Sequence, residues 1–294
     1  MSSRTKIVAV TSIVLIVLGI GLVLLFQPPA ALVFDGQNAL AYVEYQVELG
    51  PRVSGSIAHQ RAVSWMVEML RASGWQVEIQ ETRSMGHPIR NIIAKKGSGE
   101  PWIILGAHYD SRLLADQDTD PEKQREPVPG ANDGASGVAV LLELARALPR
   151  NLEKQVWLVF FDAEDNGRIP EWDWILGSRA FAESLTAYPD SVVVIDMIGD
   201  ANLQIYLEAN SDERLRQQIW DQAAQLGYSN EFIDQIRHSM LDDHTPFLEL
   251  GIPAVDIIDF DYPYWHTGQD TLDKLSAESL KAVGDTLLSW VITQ

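Results

Sequence analysis

The sequence predicts a three-layer α/β/α domain on a central mixed, mostly parallel sheet, preceded by one N-terminal transmembrane helix. Three observations carry that reading. The runs "WIILGAHYD", "VWLVFFDAED" and "VVVIDMIGD" are continuously apolar and end in polar or acidic residues. Strands buried on both faces, beneath helices on either side, have this pattern. Strands and helices alternate along the chain, which is the signature of one α/β unit. Finally, residues 7–26, "IVAVTSIVLIVLGIGLVLLF", carry no charge over the length that spans a bilayer core.

The elements follow in order. Arg4 and Lys6 place the short tail, residues 1–6, in the cytoplasm by the positive-inside rule. Residues 7–26 read as an uncleaved signal-anchor, longer than the apolar region of a signal peptide. The "PPAAL" that follows also suits cleavage, in which case the product is secreted. In both cases the remainder lies outside the cytoplasm. Residues 27–35, with Pro28 and Pro29, read as a linker, and 36–294 as one folded domain. "NALAYVEYQVEL" has helical spacing and stops at Gly50-Pro51. "AHQRAVSWMVEMLRASG" is an amphipathic helix with Val63, Met66, Val67 and Leu70 on one face, closed by Gly74. "WQVEIQ" alternates like a half-buried strand, and "RNIIAKK" reads as a second strand. "GASGVAVLLELARALPR" is a helix between the first two apolar runs. Later come the helices "ERLRQQIWDQAAQLG" and "TPFLELG", the strand "IPAVDII", and a final helix from about Ser276 to Ile292. There is no internal repeat and no second domain boundary.

Composition narrows the function. Hydrophobic content of 46% and charged content of 21% support a large core. The absence of cysteine excludes disulfides, thiolate zinc sites and cysteine nucleophiles. A net charge of −19 repels phosphate backbones and argues against nucleic acid as a partner.

In open α/β sheets, ligands bind beyond the carboxyl ends of the strands. The polar residues gather there: His108 and Asp110, then Asp162, Glu164 and Asp165, then Asp196, and His266 after the last strand. Asp133 sits in "GANDGASG", just before a helix. Singly, such an aspartate is a cap or a turn residue, and such a histidine is structural. Together, so many carboxylates repel one another unless a cation neutralises them. Imidazole with carboxylate suits zinc, and without cysteine the site is of the catalytic type. His59, on the polar face of a helix, reads as surface, as do His87 and His238. His244, in "LDDHTPF", reads as a supporting or capping residue.

On these residues the chain resembles the M28 zinc metallopeptidase superfamily, which includes zinc aminopeptidases and glutaminyl cyclases. The resemblance runs from about Gly50 to the C-terminus, through "GPRVSGS", "GAHYDS", "GANDGASGVAVLLELAR", "FFDAED", "GSRAF", "IDMIGD", "DDHTPFLELGIPA" and "WHTGQDTLD". It implies Asp133, Asp165 and His266 as zinc ligands and Glu164 as the general acid/base. In the two-zinc aminopeptidases, His108 and Asp196 would hold a second metal, with Asp133 bridging. In the cyclases there is one zinc, and Asp196 belongs to a hydrogen-bond network near the substrate.

Three features lean towards the cyclases. Asp242 stands where aminopeptidases commonly have serine. Trp265 directly precedes His266. The loop "NGRIPEWDWIL" offers Trp172 or Trp174 as a pocket tryptophan. Two features depart from the family. Asp165 stands where glutamate is usual, so a metal must sit closer or the strand end must shift. The cysteine pair of the animal cyclases is absent. The implied activity is conversion of N-terminal glutamine to pyroglutamate with release of ammonia. The alternatives are an aminopeptidase with one or two metals and an inert, membrane-tethered binding module. The implied partners are a peptide with a free N-terminus and, through residues 7–26, the lipid bilayer.

Overall fold

The computed structural model describes residues 33–294. The expected signal-anchor at 7–26, the tail before it and most of the linker lie outside the described residues. Among the described residues, no helix is long and apolar enough to cross a membrane.

The strands are β1 (Gln76–Ser84), β2 (His87–Lys96), β3 (Trp102–His108), β4 (Gln155–Phe161), β5 (Ser191–Asp196), β6 (Ile205–Glu208), β7 (Phe232–His238) and β8 (Ala254–Ile258). Six of them form one sheet in the order β1-β2-β4-β3-β5-β8. β1 and β2 make an antiparallel hairpin that joins β4 antiparallel. From β4 through β3 and β5 to β8 the strands are parallel. The mixed, mostly parallel sheet expected from the apolar runs is therefore present. β6 and β7, a separate parallel pair, were not expected from the sequence. β6 is buried but has only four residues, and β7 is largely exposed, so neither stands out as an apolar run in the sequence.

Side-chain alternation along each central strand builds two cores, one on each face. Ile103 and Leu105 of β3, Leu158 and Phe160 of β4, and Val193 and Ile195 of β5 point to one face. That face is covered by α1 (Gly36–Glu48), α2 (Ile57–Ala72), α3 (Ala135–Ala147), α5 (Glu213–Leu226) and α7 (Ala277–Thr293). Ile104, Val159, Phe161, Val192 and Val194 point the other way, against Phe181 of α4 (Leu176–Glu183) and Phe247 of α6 (Thr245–Glu249). The parallel strands thus end together at one edge, with their apolar residues committed to the two cores and their terminal polar residues left over.

The helices start where capping side chains satisfy free backbone N–H groups. Asp35 accepts from the Gln37 and Asn38 amides at 3.0 and 3.2 Å. Ser56 and Ser276 cap α2 and α7 in the same way. Asp35 and its neighbour Phe34, read as linker, belong to the folded unit. Phe34 is buried against α7, where Gly284 leaves room for its ring.

His59, read as a surface residue, is buried. Its Nε2 lies 2.8 Å from Asp162 Oδ1, and its ring stacks on Tyr109. The partnering carboxylate is what makes a buried imidazole tolerable. Asp162 is also held by the Ser54 hydroxyl at 3.0 Å and the Arg90 amide at 2.8 Å. It serves the fold and is not in either cation-binding group described below.

A Cβ on Gly284 would stand 2.3 Å from the Phe34 ring. Gly284→Ala is therefore expected to destabilise the protein by about 1–3 kcal/mol through overpacking, read as a lower urea midpoint at unchanged m. An unaltered midpoint would contradict this packing.

Candidate active site and metal centre

Each parallel strand delivers a polar group to the same edge. His108 ends β3, Glu164 and Asp165 follow β4, Asp196 ends β5, and His266 follows β8. Asp133 arrives from the loop before α3. Ligand atoms of Asp133, Asp165 and His266 lie within 4.8 Å of one another, as do those of His108, Asp133 and Asp196. Asp133 is common to both groups: its Oδ1 is 3.1 Å from His108 Nε2, and its Oδ2 is 3.7 Å from His266 Nε2. His266 Nε2 approaches Asp165 Oδ1 to 2.8 Å without the geometry of a hydrogen bond, and Asp165 Oδ2 is buried without a partner. Lone pairs converging in this way on one point fit a cation held by nitrogen and oxygen donors. His266 has φ of 56°, an uncommon conformation for a non-glycine residue that aims its ring inward.

Other side chains hold this set in place. Asp110 accepts from the Glu164 and Asp165 amides at 3.0 and 3.3 Å and lies 3.4 Å from His108 Nδ1. It fixes the turn after β4 and orients the imidazole at once. Asp270 does the same for the Asp133 loop, accepting from the Asn132 and Asp133 amides at 2.8 and 3.2 Å. Arg52, fully buried, donates to the carbonyls of Tyr109, Pro129 and Gly130. Arg112 grips both oxygens of Asp116 at 2.8 Å, and Asp116 Oδ1 lies 3.6 Å from His266 Nδ1. Arg112 also donates to the Asp165 carbonyl at 2.9 Å, which pins the strand end carrying the shorter ligand. Sequence reasoning missed Arg52, Arg112, Asp116 and Asp270. Arg52 and Asp270 stood inside quoted motifs, and only the folded backbone reveals what they hold.

The electrostatics describe a centre short of positive charge. Burial raises the Asp196 carboxyl to about 7. Burial, with Asp133 alongside, raises that of Asp165 to about 6. Burial also pushes Glu164 well above the ordinary range, and Asp165, Asp242 and Asp243 add to the effect. Burial alone would lower His266, yet Asp165, Asp116 and Asp133 hold it up at about 9. Carboxylates and imidazoles that all tend to keep protons are compensating for one another's charge, and a metal ion performs that task in their place.

Beside this set opens a cavity of about 320 Å³. The carboxyls of Glu164, Asp196 and Asp242 face it, and Trp174, Phe260 and Trp265 wall it. Asp133, Asp165 and His266 line it too, whereas His108 does not. Trp265 stacks on the His266 ring with centroids 3.6 Å apart, and the Trp174 ring, nearly parallel to it, lies 6.0 Å away. Trp172, the other candidate for the pocket, stands outside the cavity. The chain turns at Glu171, and Trp172 stacks on His87 of β2 at 3.6 Å. His87 is therefore half-buried by that stack and not a free surface residue. His244 caps nothing: it is buried, 3.4 Å from Glu208 and 3.8 Å from Asp256, behind Asp242.

Asp110→Asn would set an amide N–H against one of the two backbone N–H groups it now accepts. Metal affinity is expected to fall by about 10–100-fold with the circular dichroism unchanged. Undiminished affinity would show that Asp110 does not organise the centre.

Residues 91–291 match the profile of Peptidase family M28. The glutaminyl-peptide cyclotransferase of Gloydius blomhoffii is 28% identical over 286 residues, 81% of this chain and 76% of that protein. The glutaminyl cyclase of Porphyromonas gingivalis superposes with a TM-score of 0.84 at 34% identity, covering 89% of this chain and 99% of its own. A Zn-dependent exopeptidase from Parabacteroides distasonis reaches 0.84 at 32% identity, with the same coverage of 89% and 99%. The chain belongs to peptidase family M28, on its glutaminyl cyclase branch, and is an enzyme of that family.

Proposed function

We propose that this enzyme is a zinc-dependent glutaminyl-peptide cyclotransferase, tethered to the membrane by residues 7–26 with its catalytic domain, residues 36–294, outside the cytoplasm. The observation that carries the reaction is the company Asp242 keeps. It faces the same aromatic-walled cavity as Glu164 and Asp196, beside Asp133, Asp165 and His266. Three carboxyls around one small cavity suit a reaction that must hold an amine and move its proton.

Asp133, Asp165 and His266 would hold the zinc, whose chemistry here is Lewis-acid polarisation of the substrate's side-chain amide carbonyl. Asp196 and Asp242 hold the substrate's α-amine. As that nitrogen bonds to the side-chain carbonyl carbon, Glu164 accepts the proton it loses. The bond from that carbon to the amide nitrogen then breaks. The nitrogen leaves as ammonia, taking the proton that Glu164 returns. A buried carboxyl with raised proton affinity is suited to both halves of the transfer. Trp174, Phe260 and Trp265 exclude water, which would otherwise compete as the nucleophile.

A two-metal exopeptidase is the second reading, favoured by the additional group of His108, Asp133 and Asp196. In that case Glu164 would activate water. The zinc-loaded protein is expected to release ammonia from a peptide with N-terminal glutamine and to leave an N-terminal leucine peptide intact, read by mass spectrometry. Release of free leucine would overturn the cyclase reading. Glu164→Gln is expected to lower kcat by about 10²–10⁴-fold at unchanged zinc content. Unchanged turnover in that variant would remove Glu164 from the mechanism.

A further inference from the structure

The cavity combines aromatic and aliphatic walls with five acids, Asp133, Glu164, Asp165, Asp196 and Asp242. Among the described residues, Arg168 is the one Lys or Arg that lines it. Arg168 is exposed, and no carboxylate among the described residues forms an ion pair with it. Among lining residues whose other charged groups are five carboxyls and His266, it adds a fixed positive charge.

Its position is built, not incidental. Arg168 has φ of 63°, in a turn closed by the Ile169 amide donating to the Asn166 carbonyl at 3.2 Å. Both flanks of the turn are fastened. Asn166 is buried and accepts the Leu113 amide at 3.0 Å. The Gly167 carbonyl accepts from Arg112 at 3.1 Å, and Ile169 is buried. The backbone is thus anchored by the same arginine that steadies Asp165 and Asp116. The exposed guanidinium stands on the cavity's rim, together with the exposed Leu241.

We propose that Arg168 forms a carboxylate-reading subsite at the mouth of the cavity, selecting peptides that carry a carboxylate just beyond the first residue. The inference rests on the reading of the cavity as the seat of the substrate's N-terminal residue. A chain whose first side chain fills the cavity must leave past this rim. There the guanidinium meets either the second side chain or, in a dipeptide, the C-terminal carboxylate. The internal acids read the amine, and Arg168 reads the opposite charge further along.

Four substrates separate the sources: Gln-Glu-amide, Gln-Lys-amide, Gln-Ala-amide and Gln-Ala with a free C-terminus. On the zinc-loaded enzyme, kcat/KM is expected to favour Gln-Glu-amide over Gln-Lys-amide by about fivefold, the scale of an exposed ion pair. The preference should shrink in half-molar salt, fall towards one in Arg168→Met and invert in Arg168→Glu. If Gln-Ala with a free C-terminus is favoured over its amide as well, the subsite also takes a terminal carboxylate. Calorimetric binding of the same peptides to zinc-loaded Glu164→Gln reads the subsite whichever reaction the enzyme performs. Absence of ammonia release would therefore count against the cyclase reading alone. An acid preference that is missing from binding and turnover, or that persists in Arg168→Met, overturns this proposal.

Discussion

Repulsion among buried carboxylates is the constraint on which this structure depends. A carboxylate taken out of water must be neutralised, hydrogen-bonded or protonated. The chain solves the problem differently at different positions. Asp110 and Asp270 are satisfied by backbone N–H groups of the very loops that carry candidate ligands. Asp116 is matched by Arg112, and Asp162 by His59. Asp133 and Asp196 face the two imidazoles and one another, and Asp165 has in addition Arg112 3.6 Å from its Oδ1. Acids tied to backbone N–H groups or to a dedicated base form the scaffold, and Asp133, Asp165 and Asp196 form the centre.

The fold makes this sorting possible. Period-two alternation commits the interior of each parallel strand to one of two apolar cores. What remains at the carboxyl ends is polar and faces a common edge. The supporting residues then lock the loops: one carboxylate for the turn after β4, another for the loop before α3, and Arg112 between Asp165 and Asp116. Removing any of these leaves buried N–H or C=O groups unpaired, which costs about 1–3 kcal/mol each. The centre and the loop packing therefore stand or fall together.

Much of this was legible from the residues. Continuous apolar runs with acidic ends marked β3, β4 and β5, because a strand buried on both faces has no polar residue until it leaves the sheet. Asp133, Glu164, Asp165, Asp196 and His266 were legible because each lies at such an end or before a helix. His59 was misread, since helical periodicity reports polarity and cannot show that a partner such as Asp162 waits beneath. Trp172 and Trp174 were indistinguishable in sequence. A turn at Glu171 and the ring of His87 send one outward and leave the other at the cavity. Arg52 and Arg112 bind carbonyls from distant loops, and no local pattern encodes such contacts. β6 and β7 were too short or too polar to stand out.

The central claim is that the unsatisfied acids and His266 form a binding site for a metal ion. The most direct test is the zinc content of the purified folded unit, Phe34–Gln294, after equilibrium dialysis, for the native sequence beside His266→Ala and Asp133→Ala. The account predicts at least one tightly held zinc in the native protein, loss of it in both variants, and retention of the native circular dichroism. Zinc held equally by all three proteins, or by none, would contradict it.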